Sequence, residues 1–249
     1  MCKTLRAIVV FALITAACTA HAEIKLGVLA HRGPETTMKE WGALADYLSA
    51  EMGEKVTVIP VKFSQFLDFC DAEKAAFIFA NPWYYVRAKV LKNAKALATV
   101  EYEGAGTRFG GVIIARKDSG ITKVQDMVGK VVMVPRLQSP GGWLFQKGVI
   151  VEAGISPEKQ FKALLETAGE SHDEVVISIK ERKAEVGTVR TGILEAMQRE
   201  GKISLSEFNI INKIQHPDFP FVCCTPLYPD WPIAALGEVP AWASARMER

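Results

Sequence analysis

The chain has 249 residues, 49% of them apolar, 23% charged and only five cysteine, with a formal charge of +2. Lys3 and Arg6 precede an apolar stretch over residues 7–17, and Ala20-His21-Ala22 places small residues at a cleavage position, the pattern of a secretory signal peptide over residues 1–22. That stretch is shorter than the roughly 20 residues of a spanning helix, and no later segment is apolar enough to be one. Lipid attachment at Cys18 is the less favoured alternative, because Thr15 stands where a lipoprotein signal carries an aliphatic residue. Removing the leader takes two basic residues and no acid, leaving a formally neutral chain and no electrostatic footprint for nucleic acid. The expected location is the periplasm.

In chain order, residues 24–29 read as a buried strand, and residues 35–52 carry Met38, Trp41, Leu44, Ala45 and Leu48 at helical spacing. A strand over 56–61, a helix over 64–72, a strand over 75–80 and a helix over 82–91 opened by Pro82 follow. Alternation of this kind predicts α/β lobes, each with a parallel sheet covered on both faces. The run Glu103-Gly104-Ala105-Gly106 then marks a break, after which 109–115 and 131–134 read as strands and 142–153 and 171–182 as helices. A strand over 186–189, a helix over 191–199 capped by Thr191 and an extended segment over 207–211 complete the second block. Residues 220–225 are expected as a strand returning to the first lobe. The pattern gives a first lobe of 23–108 plus 217–249 and a second of 109–216, joined by a double hinge around an interlobe ligand cleft.

Ligands of open α/β sheets bind beyond the carboxyl ends of the strands, so the residues just after each strand are the candidates. Ser139-Pro140-Gly141-Gly142 offers a hydroxyl and two glycines before a helix, where an anion approaches free N–H groups. Arg32, Arg136 and Arg190 stand at strand ends with guanidinium forks suited to carboxylate, phosphate or sulfur oxyanions. Asn81 and Tyr85 flank Pro82, and His172 and Thr191 open the later helices. The expected ligand is a small anion; no metal or cofactor is expected. Cys70, Cys223 and Cys224 are an odd number for a disulfide set and read as buried thiols, with a redox role for the vicinal pair as the alternative.

The segments Gly27-Val28-Leu29-Ala30-His31-Arg32-Gly33, Asn81-Pro82-Trp83-Tyr84-Tyr85, Phe109-Gly110-Gly111-Val112-Ile113, Ser139-Pro140-Gly141-Gly142-Trp143, Ser171-His172-Asp173, Val189-Arg190-Thr191-Gly192-Ile193-Leu194-Glu195 and Leu227-Tyr228-Pro229-Asp230-Trp231-Pro232 together resemble the phosphate/phosphite/phosphonate-binding family of periplasmic proteins. Within it they are most similar to the sensor domains of tetrathionate-type histidine kinases. The resemblance implies a type II periplasmic-binding fold, with Ser139, Gly141 and Gly142 in the family's anion-gripping loop, Tyr85 as its tyrosine and His172 as its histidine. Arg190-Thr191 matches the sensor branch rather than the phosphonate importers, which puts phosphonate itself in doubt.

The implied function is monomeric capture of an oxyanion, of the phosphonate/phosphite or sulfur oxyanion class, for an ABC importer permease or a sensor histidine kinase. The competing readings are a hydrolase using Ser139 and His172 and a truncated homologue that binds nothing. The first is opposed by the absence of a nucleophile elbow around the serine.

Overall fold

The computed structural model describes residues 23–72, 76–237, 239 and 241–247. The leader assigned from sequence, with Cys18, lies outside them, as does the first residue of the strand expected at 75–80. Among the described residues no helix is long and apolar enough to cross a membrane.

The first half of the chain gives β1 (Ile24–Leu29), α1 (Pro34–Met52), β2 (Val56–Val61), α2 (Phe66–Ala72), β3 (Phe77–Phe79), α3 (Pro82–Lys92), β4 (Lys95–Thr99) and β5 (Arg108–Phe109). The second gives β6 (Gly111–Arg116), β7 (Val131–Val134), α4 (Phe145–Glu152), α5 (Pro157–Gln160), β8 (Ala163–Glu166), α6 (His172–Lys180), β9 (Val186–Arg190), α7 (Ile193–Arg199), β10 (Phe208–Ile211), β11 (Tyr228–Pro229), β12 (Pro232–Ala235) and α8 (Ala241–Met247). Local chemistry sets several boundaries. Asn81 accepts from the Tyr84 N–H and Pro82 follows it, so α3 starts with one orphan donor satisfied and another removed. Gly53 ends α1 at φ 65°, in the left-handed region.

Two five-stranded sheets organise the molecule, in the orders β2-β1-β3-β12-β4 and β10-β6-β9-β7-β8, with β11 and β5 forming a separate two-stranded ladder. Each sheet has its own apolar core: Leu26, Phe63, Phe77 and Trp231 in the first, Val112, Ile150, Val176 and Val189 in the second. Neither sheet is all-parallel as expected. β12 runs antiparallel to β3 and β4, and β6 runs antiparallel to β9 and β10. A strand that enters from a crossing segment, rather than through a right-handed helical crossover, is free to pair in the opposite sense.

Three expected elements differ from what is observed. Residues 220–225 form no strand; Ile214 and Cys223 share one isolated bridge. The segment lies along the second sheet, where the Cys224 N–H donates to the Gly111 carbonyl at 2.8 Å and Cys224 joins that sheet's core. The strand added to the first sheet is β12, later in the chain, where Pro232-Ile233-Ala234-Ala235 is too short to stand out by periodicity. The expected helix over 142–153 begins instead with a wide π-turn at Pro140–Leu144 that passes into α4. Thr191 does not cap α7: Gly192 occupies that position without a side-chain bond, and the Thr191 hydroxyl accepts from the Gly110 N–H at 3.1 Å.

Cys70, Cys223 and Cys224 are buried free thiols. Burial pushes Cys70 and Cys224 up to about 12, which keeps both protonated and unreactive at neutral pH.

Candidate ligand-binding site

The two sheets meet through the loops that follow their strands, and β9 delivers the central residue there. Arg190 ends β9 with its side chain only 5% exposed. Its Nη2 donates to both oxygens of Asp230, each at 3.2 Å, and its guanidinium carbon lies 4.9 Å from the Phe109 ring centroid and 5.0 Å from that of Trp231. Its Nε and Nη1 are buried with no hydrogen-bond partner. Asp230 and the two rings offset part of the guanidinium's desolvation, but no hydrogen bond within the protein offsets that of its two unspent donors.

Two more unspent groups adjoin it. His172, at the start of α6, accepts from the Arg190 backbone N–H through Nδ1 at 3.2 Å, so its proton resides on Nε2, and Nε2 is buried without a partner. The Trp231 indole N–H is likewise buried and unpartnered. The His31 ring joins the pair, 4.8 Å from Trp231 and 5.8 Å from His172 by centroids. Burial, followed by the charge of Arg190, holds the pKa of both histidines well below its ordinary value. The result is a patch of neutral and cationic donors in which Asp230 is already paired with Arg190.

A cavity of about 310 Å³ opens against this cluster, lined by residues of both halves of the chain, among them Arg32, Trp41, Tyr102, Arg190, Ala196 and Asp230. Its rim is closed by Arg32. That side chain, from the turn after β1, makes paired bonds to Asp173 on α6 (2.8 and 2.9 Å) and to Glu200 just past α7 (2.8 and 2.9 Å), and reaches Glu40 at 3.2 Å. Burial works against its charge, but the bonds to Asp173 and Glu200 outweigh it and hold the guanidinium above its ordinary pKa. The bond to Arg32 in turn brings Glu200 down to about 2. Further ties run alongside: the His172 N–H donates to the His31 carbonyl at 2.9 Å, and the Ser64 N–H to Glu170 at 2.8 Å. Arg32 is thus a strap between the two sheets with every nitrogen committed to a carboxylate, rather than a donor held in reserve for a ligand.

The Ser139–Gly142 loop, between β7 and α4, lies behind this cluster. The Ser139 hydroxyl accepts from the Gly142 N–H at 3.2 Å, and the carbonyls of Gly141 and Gly142 accept from Gln146 Nε2 (2.6 Å) and the Thr188 hydroxyl. Its residues are buried and do not line the cavity described above. The glycines serve packing: a Cβ on Gly141 would lie 2.8 Å from both Arg190 Cβ and Phe109 Cε2, and one on Gly142 2.8 Å from His172 Cε1. The loop therefore backs directly onto Arg190 and His172, two of the three residues that hold the free donors.

Of the other sequence candidates, Thr191 lines the cavity, while Asn81 caps α3 with Oδ1 and leaves Nδ2 buried and unpartnered. Arg136 pairs with Glu166 at 3.2 Å and approaches Glu170 at 3.6 Å. Tyr85 lies elsewhere, its hydroxyl accepting from the Ala96 N–H of β4 at 3.3 Å. The sequence reading does not single out Tyr102, Arg108, Arg199, Asp230 or Trp231. Tyr102 and Arg108 fall in the segment read as a linker, and Asp230-Trp231 carried a signal only as part of the family resemblance.

Two α/β sheets with separate cores, crossed by β5 and β11 and flanking a cavity that Arg190 lines, define a two-lobed type II periplasmic-binding fold. Residues 26–249 match the family described as ABC transporter, phosphonate, periplasmic substrate-binding protein, and the chain belongs to that family of extracytoplasmic binding proteins. A curated relative, the tetrathionate sensor histidine kinase of Salmonella typhimurium, is 31% identical over 99% of this chain, which spans 42% of that protein. Among solved structures, the binding protein component of an ABC phosphonate transporter from Pseudomonas aeruginosa superposes with a TM-score of 0.77 at 16% identity, over 91% of this chain and 72% of its own. A Prochlorococcus marinus binding protein in complex with methylphosphonate gives 0.75 at 16% identity, over 91% and 82%. At that identity the two structures speak for the fold.

Proposed function

We infer that this chain is a solute-binding protein that closes on a small oxyanion, of the phosphonate/phosphite or sulfur oxyanion class, without chemically changing it. The observation that carries this reading is the set of unspent donors, Arg190 Nε and Nη1, His172 Nε2 and Trp231 Nε1, gathered around one buried guanidinium. An oxyanion supplies the acceptors that the protein withholds. Binding without turnover is favoured because His172 uses Nδ1 to accept from the Arg190 N–H and, among the described residues, no hydrogen bond joins His172 to Ser139, so the hydrolase reading lacks an engaged nucleophile–base pair.

The moving parts are a first lobe of 23–108 with the chain's last segment and a second lobe beginning at 109. The packing of Cys224 on the second sheet favours a return crossing nearer 226–231 than 217. Closure read by a membrane partner shifts a two-state equilibrium by the ligand's preference for the closed form. That partner is an ABC permease or a sensor histidine kinase. The match of nearly the whole chain to part of a sensor kinase favours the second, and the family match favours the first. The protein acts in the periplasm as a monomer.

A thermal-shift screen with phosphate, phosphite, methylphosphonate, thiosulfate, tetrathionate, sulfate and acetate tests the reading. A ligand present at 100 times its Kd adds about 2.7 kcal/mol to the stability of the native state. No shift with any oxyanion overturns the proposal.

A further inference from the structure

Behind the cluster of open donors stands one wholly buried amide, Gln146, at the start of α4. Its Nε2 donates to the carbonyl of Gly141 at 2.6 Å and to that of Val189 at 2.9 Å, and reaches that of Val112 at 3.4 Å. One side chain thus joins the π-turn, β9 and β6. The ladder between β7 and β9 ends at Met133 and Gly187, and beyond it the Val189 carbonyl finds its donor in Gln146. Gly111 makes room for the amide: a Cβ there would lie 2.3 Å from Gln146 Nε2 and 2.4 Å from its Cδ.

The bond to Val189 reaches further than one carbonyl. The Val189 C=O and the Arg190 N–H belong to one planar peptide, so fixing the oxygen fixes the direction of the hydrogen. That N–H is the one His172 Nδ1 accepts, at 3.2 Å. An imidazole that accepts at Nδ1 carries its proton on Nε2, the open donor described above. Gln146 therefore holds the peptide, the peptide selects the tautomer, and the same peptide roots Arg190 at the end of β9. Reversing the amide would set its oxygen against three carbonyl oxygens, so the surroundings fix which end faces them.

Resting on the reading of this cleft as an oxyanion site, we propose that Gln146 is a positioning residue. It never meets the ligand, but through the Val189–Arg190 peptide it presents the His172 Nε2–H and the Arg190 guanidinium to it. A purely structural glutamine would hold the turn to the sheet and leave the imidazole indifferent. Thr188 supplies the comparison, because its hydroxyl holds the Gly142 carbonyl of the same turn rather than the Val189 carbonyl.

Long-range proton–nitrogen correlation spectra of histidine-labelled protein read the tautomer of each ring, with His172 assigned by comparison with His172→Gln. In the parent without added anion, His172 Nδ1 should read as the bare nitrogen and Nε2 as the protonated one. Gln146→Met keeps the length and removes the donors, and Gly111→Ala displaces the amide without removing it. Either variant, where melting curves report a folded protein, should bring in the Nδ1–H tautomer. By calorimetry the same variants should bind whichever of phosphite, methylphosphonate, thiosulfate and tetrathionate the parent binds about tenfold or more weakly. Thr188→Val should melt earlier and keep the tautomer, with affinity held within about threefold. The opposite tautomer in the parent, an unchanged spectrum in the folded variants, an equal shift in Thr188→Val, or loss of the fold in both variants overturns the assignment. Silence in every anion titration, with the spectral changes as predicted, overturns the oxyanion reading alone.

Discussion

Two segments of this chain carry the elements of an anion site, and they differ in how their polar groups are engaged. The Ser139–Gly142 loop has the hydroxyl, the glycines and the helix start, with the Gly142 N–H given to the Ser139 oxygen and both glycine carbonyls taken by Gln146 and Thr188. Arg190 sits a few ångströms away with two guanidinium donors open, beside an open imidazole N–H and an open indole N–H. The two regions form one device. The glycines let the loop backbone lie against Arg190 and His172, so the loop packs behind the groups that carry the open donors. Binding capacity in a buried site is measured by the donors left unsatisfied after the protein's own bonds are counted.

The largest test of this contrast is at Arg190. Replacement by alanine leaves the Asp230 carboxylate, whose side chain is fully buried, without its partner, so Arg190→Ala should lose about 3–5 kcal/mol of folding stability in denaturant titration. Arg190→Lys retains the charge and removes the fork. It should keep the fold while weakening the best oxyanion by about 1.5–3 kcal/mol, roughly 10- to 150-fold.

Gly141→Val sharpens the comparison from the other side. The structure puts the added carbon 2.8 Å from Arg190 and Phe109 side chains, an overpacking that should cost about 1–3 kcal/mol of stability and reduce affinity only by displacing Arg190. A Gly141→Val protein as stable as the parent contradicts this placement. Ser139→Ala should be milder, about 0.5–2 kcal/mol of stability for a lost helix cap.

The Arg32 strap should move the lobes rather than the ligand. Glu200 has its pKa depressed from 4.5 to about 2 in the folded protein, so its contribution is complete above 4.5 and is lost as pH falls through about 2. Ligand-free small-angle scattering should therefore report a closed particle from neutral pH down to about pH 4, and a more open one in Arg32→Ala at every pH. An unchanged radius of gyration in the variant removes the strap from the account.

Most of the first lobe's helices and strands were legible because their periodicity is long and their ends carry Pro82, Asn81 and Gly53. β12 and β4 were not: Lys95–Thr99 is an exposed edge and Pro232–Ala235 has four residues, so neither holds enough pattern to be told from a loop. At the site, the sequence marks Arg190, Thr191 and His172 by their position near strand ends and helix starts. It shows the Arg32 guanidinium but not the carboxylates of Glu40, Asp173 and Glu200 that hold it. It shows the Ser139–Gly142 hydroxyl and glycines but not the bond from the Gly142 N–H to the Ser139 oxygen. Asp230 and Trp231 close the site from the far end of the chain, where only the meeting of lobes gives them meaning.

The central claim is that the ligand's oxyanion meets Arg190 rather than the Ser139–Gly142 loop. Calorimetric titration of the best oxyanion from the thermal-shift screen into the parent protein, Arg190→Lys and Ser139→Ala tests it most directly. The account predicts an affinity lost by about tenfold or more in Arg190→Lys and held within about threefold of the parent in Ser139→Ala. The reverse order, with Ser139→Ala crippled and Arg190→Lys unaffected in folded proteins, would contradict it.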